Sequence, residues 1–146
     1  RSRVAVWGWS GGGSSTLHLM CRYPEIFQTG ISIAAVTNLL YYDNIYTERY
    51  MGLPSENPEG YKLGSAINYA KDLKGNLLVI HGTGDDNVHY SNAESLVNEL
   101  VKHNKTFSFI AYPNRSHSMA EGEGTWEHLS KLYTNFLRQH CPPGGK

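Results

Sequence analysis

Arg3-Val4-Ala5-Val6-Trp7-Gly8-Trp9-Ser10-Gly11-Gly12-Gly13 runs a short apolar, β-branched stretch straight into a glycine-rich turn with a serine near its centre. Residues 3–9 read as a buried strand, and the glycines end it. From Ser14 to Tyr23 the apolar side chains Leu17, Met20 and Cys21 recur at helical spacing until Pro24 stops the pattern. The unit is therefore strand, sharp turn, helix. The strand begins with no cap, linker or targeting segment before it, which reads as a piece of a longer protein.

The same alternation continues outward. Gly30-Ile31-Ser32-Ile33-Ala34-Ala35-Val36 reads as a second strand, and Asn76-Leu77-Leu78-Val79-Ile80-His81-Gly82 as a third whose unbroken apolar core suits a sheet covered on both faces. A capping-box pattern, Ser91-Asn92-Ala93-Glu94, opens a helix that carries Ala93, Leu96, Val97, Leu100 and Val101 on one face and runs to about Asn104. Phe107 to Tyr112 is a fourth strand. Trp126, Leu129, Leu132, Tyr133, Phe136 and Leu137 mark a last helix, ended by Pro142-Pro143. Strands alternating with helices, joined by right-handed crossovers, imply an α/β protein with a mostly parallel sheet flanked by helices. Ligands of such sheets sit at the carboxyl ends of the strands.

Composition narrows the function. With 146 residues, 40% of them hydrophobic, the chain suits one globular core. Thirteen basic residues balance thirteen acidic ones, so no basic field speaks for nucleic acid or an anionic membrane. No apolar run reaches the roughly 18 residues of a membrane span. Cys21 and Cys141 fit neither a disulfide framework nor a zinc spacing and are read as incidental.

Three strand ends carry chemistry. Gly8-Trp9-Ser10-Gly11-Gly12 matches the G-x-S-x-G turn that thrusts a serine hydroxyl above a sheet. Its glycines let backbone approach backbone, the helix that follows lends its positive end, and the Gly11 N–H points where an oxyanion would develop. A phosphate-binding glycine turn is the bland alternative, but the Lys-Ser/Thr ending of a P-loop is missing. Serine needs a base to take its proton and a carboxylate to orient that base. Both follow in order: Asp85 or Asp86 in His81-Gly82-Thr83-Gly84-Asp85-Asp86-Asn87-Val88-His89, then His117 in the loop after the fourth strand. Ser, Asp, His is the chain order of α/β-hydrolases. His18, His103, His128 and His140 sit on or near helices or in the tail. His81 reads as a satisfied core or polar-network histidine, and His89 as a shaper of the site. A metal reading of His81, Asp85, Asp86 and His89 matches no zinc or calcium spacing; no metal or cofactor is expected. The stretch between the second and third strands is rich in tyrosine. Tyr42, Tyr46 and Tyr50 repeat every four residues, and their faces suit either a packing surface or a flat apolar ligand.

The turn, the stretch Tyr41-Tyr42-Asp43-Asn44-Ile45-Tyr46-Thr47-Glu48-Arg49-Tyr50-Met51-Gly52-Leu53-Pro54 and the His81–His89 segment together resemble the dipeptidyl peptidase IV branch of the prolyl oligopeptidase family. The likeness spans nearly the whole chain. It implies an α/β-hydrolase fold, of which residues 1–146 would be the C-terminal portion, with a β-propeller and the first sheet strands upstream. It also implies a serine exopeptidase that releases short N-terminal peptides after Pro or Ala. On this likeness Ser10 is the nucleophile, Asp85 rather than Asp86 the acid, and His117 the base, with Gly11 in the oxyanion hole. Val36, Tyr42, Tyr46 and Val88 fall on the proline-accepting pocket, and Asn87 on a position that holds the substrate backbone. An extracytoplasmic location is implied as well. Gly11, Leu39 and Ala35 depart from the family, which has Tyr, Trp and Pro there. The alternatives are an esterase or acylaminoacyl peptidase on the same fold, and a non-catalytic peptide-binding relative. With the second oxyanion donor and the propeller upstream, the chain alone is expected to be nearly inactive. The Arg3–Trp7 strand is expected to be an open sheet edge, and either to pair with a second copy or to be disordered or rearranged.

Overall fold

The unbroken apolar strand β3 (Asn76–Gly82) sets the layering, and its residues alternate between two cores. In the computed structural model, which describes residues 3–144, Leu77 and Val79 face one side of the sheet while Leu78 and Ile80 face the other. The sheet is entirely parallel, in the order β1 (Ala5–Trp9), β2 (Thr29–Ile33), β3, β4 (Ser108–Tyr112). Such a strand is apolar throughout because helices cover both of its faces.

On one face, Leu17, Met20 and Cys21 of α1 (Gly11–Arg22) pack with Leu96 and Leu100 of α4 (Ser91–Lys102). Ala66, Ala70 and Leu73, from a 3₁₀ segment over Ala66–Asp72 and its end, complete that core. On the other face, Leu129 and Phe136 of α5 (Thr125–His140) join Met119 and Tyr112 against β2 and β3. The β2 residues toward α1 are small for a reason. A Cβ on Gly30 would stand 2.7 Å from Met20 Cγ, and the Ser32 hydroxyl donates to the Gly13 carbonyl at 3.0 Å. Burial pushes the Cys21 thiol up to about 12, which leaves it an inert core residue.

The sequence reading differs from the structure at several boundaries. β1 starts at Ala5, two residues later than expected. α1 starts at Gly11 rather than Ser14, because the turn itself begins the helix. β2 ends at Ile33, not Val36: Ala34 takes a left-handed φ of 46° and donates to the Ile80 carbonyl, and the chain then leaves the sheet. The capping box at Ser91 does not form. Tyr90 is the N-cap, without a side-chain cap bond, and Asn92 instead accepts from the Thr37 N–H at 3.0 Å. Two short helices between β2 and β3, α2 (Asn44–Met51) and α3 (Pro58–Gly64), are capped by Asp43 and Asn57. Neither α3 nor the 3₁₀ segment after it was legible from apolar periodicity.

Among the described residues β1 pairs only with β2, so it is one edge of the sheet, and Trp7 on it is 64% exposed. None of the described helices is long and apolar enough to cross a membrane.

Candidate active site

Ser10 stands between β1 and α1 with φ 55° and ψ −120°, a conformation that a residue bearing a Cβ rarely adopts. Its backbone is pinned from both sides. The Ser10 N–H donates to the Ile33 carbonyl at 2.9 Å, and its carbonyl accepts from the Ser14 N–H at 3.0 Å. A Cβ on Gly8 would run into the Gly12 backbone, so the strand meets the helix closely enough to hold the turn only with glycine there. Gly11 and Gly12 differ: a Cβ at either meets nothing within 4 Å. Glycine at 11 is thus no steric requirement. As the first residue of α1, Gly11 has an N–H that no intrahelical acceptor reaches, at the positive end of the helix.

Asp85 follows β3 and its carboxylate is fully occupied. Oδ1 accepts from the N–H groups of Asn87 at 3.0 Å and Val88 at 2.8 Å, and so caps its own loop. Oδ2 meets His117 Nδ1 at 2.9 Å and His81 Nε2 at 3.3 Å. A carboxylate only accepts, so His117 Nδ1 carries the hydrogen and Nε2 is left as the free acceptor. Asp86 is exposed and makes no such contact. Asp85 thus both caps its own loop and partners the histidine. His81 is 1% exposed, and burial first of all lowers its proton affinity.

The His117 loop lies directly against the Asp85 loop. A Cβ on Gly82 would collide with the Arg115 carbonyl, and one on Gly84 would stand 3.2 Å from the Asn114 carbonyl carbon. The Gly84 N–H donates to Arg115 at 3.2 Å, and the Asn114 N–H donates to the Thr83 hydroxyl at 2.9 Å. Further along the loop, Ser116 is tied to Glu121 through both its N–H and its hydroxyl, and Arg115 holds Thr125 at the start of α5. The indole N–H of Trp9 donates to the His117 carbonyl at 2.9 Å, joining the serine turn to the histidine loop. Sequence reasoning passed over this contact. The Ser10 hydroxyl itself is not hydrogen-bonded to the His117 ring; the two are linked through Trp9.

Of the residues assigned to substrate binding, Tyr42 meets both Asn87 and Tyr46. The Tyr42 hydroxyl donates to Asn87 Oδ1 at 2.8 Å. Burial, then neighbouring Asp43, raise that hydroxyl's pKa, which keeps it a donor. Both line a depression of about 530 Å³ with Leu40, Tyr41, Asp43, Asp86 and His89. Tyr46 and Tyr50 continue an edge-to-face series from Tyr42, with ring centroids 5.5 and 5.1 Å apart, and are 57% and 67% exposed. Val36 accepts from the Ser14 hydroxyl at 2.6 Å, and Val88 is fully buried and serves the Asp85 loop through its backbone. Leu39 faces a separate depression shared with Tyr42, Thr47, Pro54 and Tyr61. Two of the remaining histidines hold structure: His128 pairs with the Tyr112 hydroxyl at 2.7 Å, and His18 meets the Gly64 carbonyl at 3.0 Å.

A family profile described as the prolyl oligopeptidase family matches residues 1–142. Dipeptidyl peptidase 4 of Felis catus is 36% identical over 140 residues, which are 94% of this chain and 18% of the relative. Venom dipeptidyl peptidase 4 of Vespula vulgaris is 40% identical over 138 residues, 92% of this chain and 17% of the relative. The crystal structure of Porphyromonas gingivalis dipeptidyl peptidase 4 superposes with a TM-score of 0.92 at 41% identity, covering 95% of this chain and 20% of that one. The chain thus spans about a fifth of the length of the proteins it matches.

Proposed function

The chain belongs to the prolyl oligopeptidase family, within the dipeptidyl peptidases of its α/β-hydrolase fold, and on that premise we propose that it is the catalytic piece of a serine exopeptidase that releases short N-terminal peptides after Pro or Ala. The observation that carries the reading is the 2.9 Å contact of His117 Nδ1 with buried Asp85, beside a serine in a left-handed turn. Each residue then has a task. His117 Nε2 takes the Ser10 proton as Oγ attacks the scissile carbonyl carbon. The oxyanion that forms is met by the Gly11 N–H and the positive end of α1. Collapse breaks the C–N bond, His117 hands its proton to the leaving amine, and an acyl ester remains on Ser10. Water, deprotonated by His117, hydrolyses that ester and restores the serine. Asp85 holds the ring in the Nδ1–H tautomer and stabilises the imidazolium in both halves.

Val36, Tyr42, Tyr46 and Val88 are proposed to receive the pyrrolidine or methyl side chain, and Asn87 to hold the substrate backbone. The Tyr42–Asn87 bond supports this by bringing two of these residues together at one depression. The 146-residue chain alone is expected to turn over slowly. Losing one oxyanion donor lowers turnover by about 100- to 1,000-fold, and the family likeness puts the second donor outside this sequence. In the full-length parent, Ser10→Ala is expected to abolish labelling by a fluorophosphonate and turnover of a Gly-Pro chromogenic substrate, with the far-UV spectrum unchanged. Labelling that persists at another residue would rule out Ser10 as the nucleophile.

The exposed β1 edge is also proposed to pair two copies of this chain. Sedimentation equilibrium is expected to return a dimer, and a Trp7→Lys variant a monomer.

A further inference from the structure

Asp85 has more partners than a carboxylate that merely orients one histidine would need, and the extra one is a second histidine. His81 Nε2 stands 2.8 Å from the Val88 carbonyl and 3.3 Å from Asp85 Oδ2. A carbonyl cannot donate, so Nε2 must carry the hydrogen. In a neutral ring that fixes the tautomer. We infer that His81 is a positioning residue for the Asp85–His117 pair: its Nε2–H is shared between the Val88 carbonyl and Asp85 Oδ2, and sets the direction from which the carboxylate meets His117. The inference rests on the roles proposed above for Asp85 and His117.

The geometry leaves His81 little else to do. It ends β3, is 1% exposed, and its ring is held edge-on by Tyr90 at the start of α4, with centroids 5.8 Å apart. The Val88 carbonyl fixes the ring, and the ring in turn offers its N–H to Oδ2. With Asn87 and Val88 donating to Oδ1, His117 donating to Oδ2 and His81 in contact with Oδ2 at 3.3 Å, four groups surround the carboxylate, so it cannot turn without breaking at least one of these contacts. The charged or titratable groups that act on His81 are Asp85, which favours its protonation, and His117, which opposes it; burial outweighs both and keeps it uncharged. That neutrality is required. A cationic His81 would form its own ion pair with Asp85 and take the charge interaction that stabilises the His117 imidazolium.

The test uses the full-length enzyme and a Gly-Pro chromogenic substrate. His81→Leu removes the N–H and is expected to lower kcat roughly 10-fold, the size of effect for a hydrogen bond to a charged group, with little change in KM. With one donor fewer, Asp85 attracts the imidazolium more strongly, so the acid limb of the kcat/KM profile is expected to move up by about half a pH unit. His81→Gln, which can still donate from a side-chain nitrogen, is expected to recover most of kcat and return the limb. His81→Met serves as a second variant without a donor should the leucine variant fail to fold. In an Asp85→Asn background, His81→Leu is expected to add no further loss. A folded His81→Leu or His81→Met enzyme with unchanged kcat and profile would overturn the role, as would a glutamine variant no better than leucine, or losses that simply multiply with Asp85→Asn. If Asp85→Asn alone left kcat unchanged, the assignment of Asp85 would fail first, and the role of His81 with it.

Discussion

The strand-end cluster and the tyrosine segment form two sides of one proposed site, yet they are built in opposite ways. Both oxygens of Asp85 and the Nδ1 of His117 have partners within the chain, and Gly82 and Gly84 let one loop backbone rest on the other. Along Tyr42, Tyr46 and Tyr50 the rings touch mainly each other, and two of them are more than half exposed. The difference teaches that the chain's own contacts fix the groups proposed to handle protons, which need precise placement, while leaving the proposed recognition surface loosely held. A base misplaced by 1 Å loses its function, whereas an aromatic wall can adapt to its ligand.

Mutations should fall hardest on the overdetermined side. Asp85→Asn in the full-length enzyme is expected to lower kcat by about 10⁴-fold, since it favours the wrong His117 tautomer. Asp86→Asn, exposed and outside the cluster, is expected to stay within about threefold of the wild-type rate. Steady-state kinetics on the Gly-Pro substrate would check both, and equal losses would dissolve the contrast between the two aspartates.

A second measurement separates the regions by pH. Burial lowers the proton affinity of His81 in the folded state, whereas in the unfolded chain it returns to about 6.5. Above that value neither state binds the proton and stability is at its plateau. As pH falls below about 6.5 the unfolded state binds a proton that the folded state refuses, so stability declines, at most by about 1.4 kcal/mol per pH unit from this group, until the folded pKa is reached. Urea denaturation of the full-length protein between pH 5 and 7 is expected to show the decline, and His81→Gln to reduce its slope. Tyr42→Phe, on the loosely held side, is expected to remove only the bond to Asn87: KM should rise a few-fold, about 1 kcal/mol, with kcat nearly unchanged. A kcat loss as large as that of Asp85→Asn would mean that the tyrosine side is not merely recognition surface.

Legibility in the sequence followed the same divide. β3 was read residue for residue because an unbroken apolar run flanked by glycine leaves little choice, and the serine turn because its glycines are tied to a backbone shape. α3 was missed because its apolar positions show no period, yet Asn57-Pro58 carried a cap and a first-turn proline that would have marked its start. Residues alone left Asp85 and Asp86 as equals. What distinguishes them is which one caps its own loop with one oxygen and reaches a loop 32 residues away with the other. The Trp9 bond to His117 was equally invisible, since no local pattern announces a contact across 108 positions.

The left-handed backbone of Ser10 sets catalysis and folding against each other. A side chain in that conformation destabilises the fold by about 1–3 kcal/mol, and glycine is the residue that would escape most of this. Selection for stability alone would therefore favour losing the very hydroxyl on which the proposed chemistry depends. A lineage released from the need for turnover would have an easy route to a sturdier, inert protein through this one codon.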